Sequence, residues 1–530
     1  MKLPLSKDFY LNINSGPKKI VLISRKIAFT FPLSFAYLAG YLMEKNEPVE
    51  ILFRGNDSPL KLVDKIIASN PLIVGLGGLY PELKEIGQII QLLKTKAPDI
   101  PVVIGGQMVS PTPEFALEIT GADYGVIGEG EIILHELITA LKNNSDVSTL
   151  QGIVFKKNGK IINTGPGKYI KDLDTLPPIP YKLFPENEWL HIGKWYAHNF
   201  PQPIFWKYRD RVVNIHGGRG CPFICNFCYH HSKPRYRSIK NMLDEARNAI
   251  DQFNANFIYF SDDLVLATPK RALELVDGIK AMNLKFDYSL SARFDVLDRI
   301  DNQLLLELKQ TGCRIMGLGI ESGSDKVLKE IGKNCTSDMI LANIKRLTNA
   351  GIHPTVSIQV GQFNETSEDV EKSIELVKKT MRVNPNIQYA FTITTPFPGS
   401  KLYDHIISSG LLKSDQDFYK RYFSKENITQ SGDWNQVTNL SKMSHEEIIY
   451  YLKKINTVYK DEQSSAFGII FKFFESINGL FIKANKFLLI FIFNRVKKYK
   501  AGYTLWRIYE KIIERIFITL ENINLYLRRT

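Results

Sequence analysis

The chain has 530 residues, a formal net charge of +13, and 44% hydrophobic and 23% charged residues. These proportions exclude a disordered chain and a fully membrane-embedded one, and the length predicts three or four structural units. Five cysteines, three of them within eight positions, exclude a disulfide framework and favour metal ligation in a reducing, cytoplasmic compartment.

The first region, from Lys18 to about Leu141, alternates apolar runs with amphipathic stretches. Continuous apolar runs are typical of strands buried on both faces, and helices between such strands predict an α/β fold with a doubly wound parallel sheet. Ligands of such a sheet bind at the carboxyl ends of its strands. We predict strands at 20–23, 49–53, 72–75, 102–104 and 124–127, and helices at 33–43 and 82–94.

Glycines cluster at the ends of three of these predicted strands. They are Gly75, Gly77 and Gly78 at the third, Gly105 and Gly106 at the fourth, and Gly128 and Gly130 at the fifth. Glycine lets the backbone turn tightly or approach a flat or phosphate-bearing ligand, so these loops are either binding loops or ordinary turns. Their spacing does not match the Gly-x-Gly-x-x-Gly fingerprint with an acidic partner, which disfavours a nicotinamide dinucleotide site.

A hairpin and a linker are predicted next. Asn158-Gly159 is a favoured tight-turn pair between apolar runs and predicts a hairpin over 150–165. Residues 172–181 contain three prolines, favour extended chain and mark the first boundary between units. We therefore expect one α/β unit over 18–145 and a hairpin with a proline-rich linker over 146–205.

A second series of strands and helices is predicted over 206–415. Six strands separated by helices predict an open or partial β/α barrel, whose site lies at the carboxyl ends of its strands. The predicted strands are 212–215, 257–260, 286–289, 315–318, 355–359 and 389–393.

Cys221, Cys225 and Cys228 follow the first strand of this barrel, with three and then two residues between them. One short loop can thus hold three corners of an iron-sulfur cubane and leave the fourth iron open, since thiolates are the usual ligands of such clusters. The alternative is a structural zinc site, which normally needs four protein ligands, with His230 or His231 as the fourth. We predict the iron-sulfur site, with the three cysteines as its metal ligands.

This cysteine spacing resembles the signature of the radical S-adenosylmethionine (SAM) superfamily. The resemblance implies a 4Fe-4S cluster whose open iron binds the amino and carboxylate groups of SAM. One-electron reduction then cleaves SAM to methionine and a 5'-deoxyadenosyl radical. The resemblance also implies that Phe227, the aromatic residue before the last cysteine, packs by the adenine.

Polar residues at three later strand ends extend the resemblance. It implies that Asp262 and Asp263, after the second strand, bind the amino group of SAM. Ser291 and Arg293, after the third strand, are then expected to contact the ribose or the carboxylate. Glu321, in Gly-Leu-Gly-Ile-Glu-Ser-Gly after the fourth strand, is expected to contact the ribose. The alternative for each residue is a solvated loop charge or a helix cap.

The first unit resembles the cobalamin-binding domain that precedes many radical SAM barrels. The segments that carry this resemblance are 32–42, 74–78, 103–107 and 128–131. It implies that Leu79 and Gln107 approach the corrin and that Glu129, with the glycines around it, belongs to a cofactor loop. No Asp-x-His-x-x-Gly segment occurs in the sequence, so cobalt would lack a histidine ligand from the protein. A domain that kept the fold and lost the cofactor is the alternative.

The C-terminal region is predicted to be helical. Ser444 and Glu447 have the spacing of a capping box within a helical extension over 416–464. The segment 465–530 has seven Lys and five Arg against four Glu, which is +8 of the total charge, and its longest apolar run, 487–493, is far below the roughly 20 residues that span a bilayer. It predicts an amphipathic helical tail on an anionic lipid surface; packing on protein is the alternative, and nucleic acid is disfavoured.

Together the two resemblances imply a cobalamin-dependent radical SAM methyltransferase. The radical would abstract hydrogen from an unactivated carbon, and methylcobalamin would supply the methyl group. A radical SAM cyclase or carbon-carbon coupling enzyme is one alternative, and a zinc-bearing membrane-surface or RNA-binding module is another. The expected partners are a small-molecule or lipid-like substrate and an electron donor such as flavodoxin or ferredoxin. The expected location is the cytoplasm, with peripheral contact to the inner face of the cell membrane through 465–530.

Overall fold

The structure is a computed structural model that describes residues 17–27, 31–55, 57–190, 211–229, 232–283, 285–423 and 439–463. Two sheets with flanking helices make up most of this part of the chain, which confirms the predicted α/β class. The predicted tail over 465–530 and the alternative zinc ligands His230 and His231 lie outside the described residues.

The strands of the described chain, β1 to β15, are Lys19–Arg25, Val49–Arg54, Pro71–Gly77, Val102–Gly105, Tyr124–Val126, Ile153–Lys157, Lys160–Asn163, Val212–Ile215, Gly218–Arg219, Arg235–Tyr236, Phe257–Phe260, Asp287–Ala292, Cys313–Glu321, His353–Val360 and Gln388–Ile393. The helices α1 to α15 are Leu33–Glu44, Pro59–Ala68, Leu83–Lys96, Pro113–Thr120, Gly130–Lys142, Glu186–Trp189, Ile239–Phe253, Pro269–Met282, Phe294–Leu297, Asn302–Gln310, Asp325–Glu330, Ser337–Ala350, Ser367–Val383, Lys401–Ser408 and Asp415–Phe423. A further helix, α16, spans 445–463. Every strand predicted from the sequence is present, and β8 and β11 have the predicted bounds.

The first sheet has the strand order β2-β1-β3-β4-β5-β6-β7, and its first five strands are parallel. Residues 20 to 23 of β1 are all buried, because helices cover both faces of the sheet. The chain reverses its direction across the sheet between β1 and β3, and a crevice at such a reversal is the usual ligand site of an open α/β sheet. The carboxyl ends of β1, β3, β4 and β5 border this crevice.

The predicted hairpin over 150–165 is confirmed, but it belongs to the first sheet. Strand β6 pairs antiparallel with β5, with Tyr124 opposite Phe155, and β7 forms the edge. The predicted unit boundary at residue 145 therefore falls inside this sheet. The sequence reading separated the hairpin because its turn is local, whereas its pairing with β5 depends on burying Ile153, Val154 and Phe155.

The second sheet has the order β15-β14-β13-β12-β11-β8, and all six strands are parallel. Helices follow the strands in the chain, as a partial β/α barrel requires. Alternate residues such as Val213, Leu290 and Val356 are buried in one hydrophobic core with residues of the flanking helices. The residues between them face the inner side of the barrel.

The predicted linker packs between the two units. The Trp189 ring lies 4.8 Å from the ring of Tyr181, 5.6 Å from Phe31 of the first unit and 5.1 Å from Phe253 on α7, measured between centroids. One hydrophobic core contains residues of both sheets. The two units therefore meet over a buried aromatic cluster, and the described part of the linker, up to Leu190, is part of the packed structure.

Helix α16 begins with the predicted capping box. The Ser444 backbone N–H donates to the Glu447 carboxylate at 2.7 Å, and the Glu447 N–H donates to Ser444 Oγ at 3.2 Å. Tyr459 on this helix packs its ring against Tyr389 and Phe391 at centroid distances of 5.6 and 5.7 Å. The helix thus covers the outer face of the edge strand β15. Among the described helices, none combines the length and the hydropathy that crossing a bilayer demands.

Candidate functional site

The three cysteines lie between β9 and β10, within the described residues 220–229 and 232–234, which we call the cluster loop. Its base is a short antiparallel ladder in which Arg219 of β9 pairs with Arg235 of β10, and Gly218 pairs with Tyr236. Gly220 has φ +75°, a left-handed conformation that favours glycine, and a Cβ there would overlap the Ser232 carbonyl oxygen. The ladder and this turn place the loop at the carboxyl end of β8.

The thiols of the cluster loop are electrostatically coupled to each other and to two cations. A hydrogen bond from the Cys228 thiol, together with the charges of Lys333 and Arg293, lowers the pKa of Cys225 to about 6 against the effect of burial. The same bond raises the pKa of Cys228, and burial raises that of Cys221. Because thiolates are the species that bind metals, the surroundings of Cys225 favour its ligand form at neutral pH.

The three thiols of the cluster loop match the ligand number of a cubane with one open iron. A structural zinc site needs four ligands around one point, whereas a cubane places each thiolate on a different iron. Within the described ranges, no group of three or more His, Cys, Asp and Glu side chains is arranged as the ligands of one metal ion. The role of the three cysteines as cluster ligands stays a prediction.

Arg293 lies directly against the cluster loop. Its Nη1 donates to Cys225 Sγ at 3.1 Å, and its guanidinium carbon lies 3.9 Å from the centroid of the Phe223 ring. Nε and Nη2 donate to the two carboxylate oxygens of Asp295 at 2.9 and 3.1 Å. The side chain is therefore a fixed cation beside the thiols, and its predicted contact with SAM stays a prediction.

Glu321 is held at the end of β13 by three side chains, one from the segment after α11 and two from β14. Lys333 Nζ lies 3.1 Å from Glu321 Oε1, while Ser357 Oγ and Gln359 Nε2 donate to Oε2 at 3.3 and 3.1 Å. Lys333 also donates to the Gly319 carbonyl at 3.1 Å and its side chain is 8% exposed. The sequence reading missed Lys333, because it follows a short helix and belongs to no motif quoted above.

The polar residues after β11 and β12 hold the loops of the site together. Asp262 is buried and its Oδ1 accepts the Gly217 backbone N–H, next to the cluster loop, while Asp263 is exposed. Ser291 Oγ accepts the Val265 N–H at 3.3 Å and donates to the Asp262 carbonyl at 3.0 Å. Asp262 and Ser291 therefore have loop partners, and the predicted SAM contacts of all three side chains stay predictions.

Phe227, the aromatic residue before the last cysteine, is partly buried against both hydrophobic cores of the molecule. Its neighbour Asn226 fixes the same segment, because the Asn226 backbone N–H donates to the Ile331 carbonyl at 3.2 Å and the Asn226 carbonyl accepts the Leu402 N–H at 2.9 Å. The segment before Cys228 is thus anchored on both sides. The predicted packing of Phe227 against adenine stays a prediction.

The predicted cobalamin loops lie together at the carboxyl ends of β3, β4 and β5. The Met108 N–H donates to the Gly78 carbonyl at 3.3 Å, and the Gly128 N–H donates to Ser110 Oγ at 2.9 Å, so the three loops touch one another. Gly106 and Gly128 have φ +85° and +88°. Backbone of this kind offers a broad, smooth surface to a flat ligand.

Side chains beside these glycines also fit a corrin. Leu79 is 50% exposed although it is apolar, and Gln107 is exposed as well. The loop at Leu79 is held in place, because the Glu82 carboxylate accepts the Leu79 N–H at 2.7 Å and pairs with Arg54 at 2.8 Å. An exposed leucine on a fixed loop suits an apolar ring face. Gly75, Gly77 and Gly105 lie within or at the ends of β3 and β4, so any role in binding is through the backbone.

Glu129 and Glu131 bind the base of the cluster loop. Arg219 lies 2.8 Å from Glu129 and 2.5 Å from Glu131, and Arg235 also pairs with Glu129. The carboxylate of Glu129 is 9% exposed. Two arginines of the barrel unit thus occupy the Glu129 carboxylate, and the predicted contact of Glu129 with the cofactor stays a prediction. The neighbouring Gly130 packs against Leu38, where a Cβ would approach to 2.9 Å.

Two family models match the chain. The model of the Radical SAM superfamily matches residues 215–377, which include the cluster loop, and the model of the B12 binding domain matches residues 20–138, which include β1 to β5. The two matches do not overlap. The B12-binding match covers the parallel strands of the first sheet, and the radical SAM match covers β11 to β14 of the second.

Curated relatives and solved structures cover most of the chain. An uncharacterized methyltransferase of Pyrococcus horikoshii is 30% identical over 388 residues, 72% of this chain and 79% of the relative. The anaerobic magnesium-protoporphyrin IX monomethyl ester cyclase of Rubrivivax gelatinosus is 27% identical over 71% of this chain and 66% of its own. The radical SAM methyltransferase TsrM of Kitasatospora setae, solved with cobalamin and a 4Fe-4S cluster, has a TM-score of 0.59 at 18% identity, over 74% of this chain and 75% of that one.

We expect Gly220→Ala to prevent the cluster loop from closing. Its Cβ would overlap the Ser232 carbonyl, whereas Gly410 has the same φ of +75° and nothing within 4 Å of a Cβ. Gly410→Ala therefore has the same backbone strain without the overlap. Anaerobic reconstitution followed by iron and sulfide analysis should show at least a several-fold loss of cluster for Gly220→Ala only. Equal cluster content in the two variants would refute this reading of the loop.

We expect Glu129→Gln to destabilise the contact between the two units. The change removes the negative charge that neutralises the buried guanidinium groups of Arg219 and Arg235. Breaking a buried ion pair lowers the free energy of unfolding by roughly 3 to 5 kcal/mol. The control is Glu136→Gln on α5, whose partner Lys168 is 60% exposed and which should cost less than about 1 kcal/mol. Urea unfolding measures both, and a cost for Glu129→Gln no larger than that of the control would contradict the assignment.

We expect stability to depend on pH through Glu365, in the loop after β14. Burial raises the pKa of this carboxyl from 4.5 to about 7, although the Gly361 and Gln362 N–H groups oppose the shift. The stabilising effect of its neutral form is therefore complete below pH 4.5 and is lost as the pH rises through 7. Glu365→Gln, which stays neutral, should gain roughly 3 kcal/mol over the wild type between pH 5 and pH 8. Unfolding free energies that differ by the same amount at both pH values would contradict this.

Proposed function

We propose, on the premise that this chain belongs to the radical SAM superfamily and carries a B12-binding domain, that it methylates a small-molecule substrate. The single observation that carries the proposal is the cluster loop tied to the glycine loops of the first sheet. The Arg219 and Arg235 contacts with Glu129 connect the two predicted cofactor sites through one buried ion-pair network.

The chain is a radical SAM enzyme, and its cofactors are a 4Fe-4S cluster, SAM and cobalamin. When bound, these groups supply a 5'-deoxyadenosyl radical for hydrogen abstraction and a carrier for the methyl group. We assign the cluster to Cys221, Cys225 and Cys228. The glycine loops after β3, β4 and β5 are assigned to the corrin.

The protein's own part in this reaction is to bind, to orient and to compensate charge. Arg293 and Lys333 offset the negative charge of the thiolates, and the buried position of Lys333 keeps that compensation strong. Lys333 also fixes Glu321, which we assign to the ribose of SAM. When reactants are held in one fixed arrangement, their translational and rotational entropy is lost on binding, so it no longer adds to the barrier of the reaction. An external one-electron donor such as flavodoxin or ferredoxin completes the proposed partners.

Cyclisation is the second candidate function. The cyclase of Rubrivivax gelatinosus is 27% identical over 71% of this chain, close to the coverage of the methyltransferase relative. Both reactions begin with hydrogen abstraction, so 5'-deoxyadenosine forms in either case. Transfer of a deuterated methyl group from SAM to a product distinguishes them, because only methyl transfer places the label there.

We expect Cys225→Ala to abolish the chemistry of the reconstituted enzyme. Removal of one thiolate leaves the cubane with two protein ligands, so 5'-deoxyadenosine formation should fall at least 100-fold together with the iron-sulfur absorbance. The control is Cys313→Ala, because Cys313 is fully buried at the amino end of β13, away from the strand ends that form the site. Anaerobic assay of 5'-deoxyadenosine and of bound corrinoid measures the result. SAM cleavage by Cys225→Ala at the wild-type rate would refute the proposal.

A further inference from the structure

The inner face of the barrel sheet has an unusual chemical character. Its outward residues, such as Met316, Leu318 and Ile320, are buried among helices, so the residues between them line the inside. Toward the amino ends of β8, β11 and β13 this lining is apolar, with Val212, Phe257 and Ile315, whereas Asp287 begins β12 and Gln388 begins β15. Further along the strands it becomes polar and uncharged. The polar positions are Asn214, Tyr259, Ser289, Ser291, Thr355, Ser357, Gln359, Gln388 and Thr392.

The two carboxylates on this face are already neutralised. Asp287 pairs with Arg314 at 2.6 Å at the amino end of β12, and Glu321 pairs with Lys333 at 3.1 Å at the carboxyl end of β13. The cations that compensate these acids are therefore engaged. A charged group that entered between these two levels would lose its hydration without gaining an ionic partner from the described strands.

Several buried polar atoms of this lining lack a hydrogen-bond partner within the described part of the chain. They are Asn214 Oδ1, Ser289 Oγ, and both Gln388 Oε1 and Nε2, on residues that are 3%, 3% and 7% exposed. Buried polar atoms without partners are rare in proteins and point to a bound molecule or ordered water. An entering hydrocarbon chain would leave them unpaired, whereas hydroxyl and amide groups would satisfy them.

Small residues lie at the centre of the face. Gly317 of β13 lies in register with Ser291 and Thr355, and a Cβ at this glycine would make an ordinary van der Waals contact with Thr355 Oγ1 at 3.6 Å. Ala390 lies in register with Ser357 on the next strands. At these two positions no long side chain extends from the inner face.

We propose that this inner face binds the substrate through a neutral part rich in hydroxyl and amide groups, as in a sugar or nucleoside, and not through a lipid chain. The inference rests on the proposed function, since it names the substrate class for the same reaction. The unpartnered atoms of Ser289 and Gln388 precede the level of Glu321 along their strands. Gln388 lies in register with Ser291 through Gly317 and Thr355, so it is level with a residue predicted to contact SAM. Polar groups on β8, β12 and β15 would then fix one molecule from three strands.

Fractionated extract tests the substrate class. A deproteinised extract of the source organism is separated into a chloroform-soluble lipid fraction, an ion-exchange-bound fraction and a neutral water-soluble fraction. Each is added to the reduced holoenzyme with SAM carrying a deuterated methyl group. We expect the neutral fraction to raise 5'-deoxyadenosine formation at least tenfold. A rise confined to the lipid or the ionic fraction would overturn the inference.

The two readouts separate this inference from the proposed function. A tenfold rise in 5'-deoxyadenosine with the neutral fraction, but with no deuterated product, supports the substrate class and rejects methyl transfer. Deuterated product in the lipid fraction supports methyl transfer and overturns the substrate class.

Variants of the inner face locate the binding. Gln388→Leu should require at least ten times more of the neutral fraction for half-maximal 5'-deoxyadenosine formation. If Gln388→Leu does not fold, Ser289→Ala tests the same expectation. The matched control is Gln91→Leu, because Gln91 is exposed on α3. An unchanged requirement in both inner-face variants would overturn the inference. SAM binding can be measured from the change that SAM causes in the EPR spectrum of the cluster. If the inner-face variants bind SAM tenfold more weakly by this measure, these residues contact SAM and the inference is overturned.

Discussion

Compensation of negative charge beside the three cysteines is the constraint that organises the site. Thiolates gathered on one partly buried loop are costly unless cations accompany them, because burial removes the water that would stabilise the charge. Arg293 from the end of β12 and Lys333 from the segment after α11 meet this need. Lys333 also binds Glu321 at the end of β13. Two neighbouring strand ends and the cluster loop are thus fixed by one set of charges.

A second set of charges fixes that loop to the other unit. The carboxylate of Glu129 follows β5 of the first sheet, while Arg219 and Arg235 form the base of the cluster loop in the second. Because their ion pairs are largely buried, water competes with them only weakly. A loop that glycine content alone would assign to a cofactor therefore has a second role. It sets the position of the cluster loop relative to the B12-binding sheet.

The sequence predicted the elements better than their connections. Strands β8 and β11 were predicted with the observed bounds, because short apolar runs between polar turns identify buried parallel strands, and the Ser444 capping box is a purely local signal. The partners of Glu129 and Lys333 could not be predicted in the same way. Glu129 and Arg219 form their ion pair although they are 90 positions apart in the sequence. Lys333 lies near enough to affect the charge of Cys225 because the chain after α11 contacts the cluster loop.

The end of β13 shows why local rules fail at the site itself. Glu321 has φ +67°, a conformation that costs energy for any residue with a side chain, and the pairing of β13 with β14 shifts register between Gly319 and Glu321. Glu321 follows Gly317 and Gly319 on the inner face, and Lys333, Ser357 and Gln359 hold its carboxylate there. The bonds of the carboxylate offset the strain of the backbone. Without these bonds, the charge compensation beside the thiols would lose its link to the barrel.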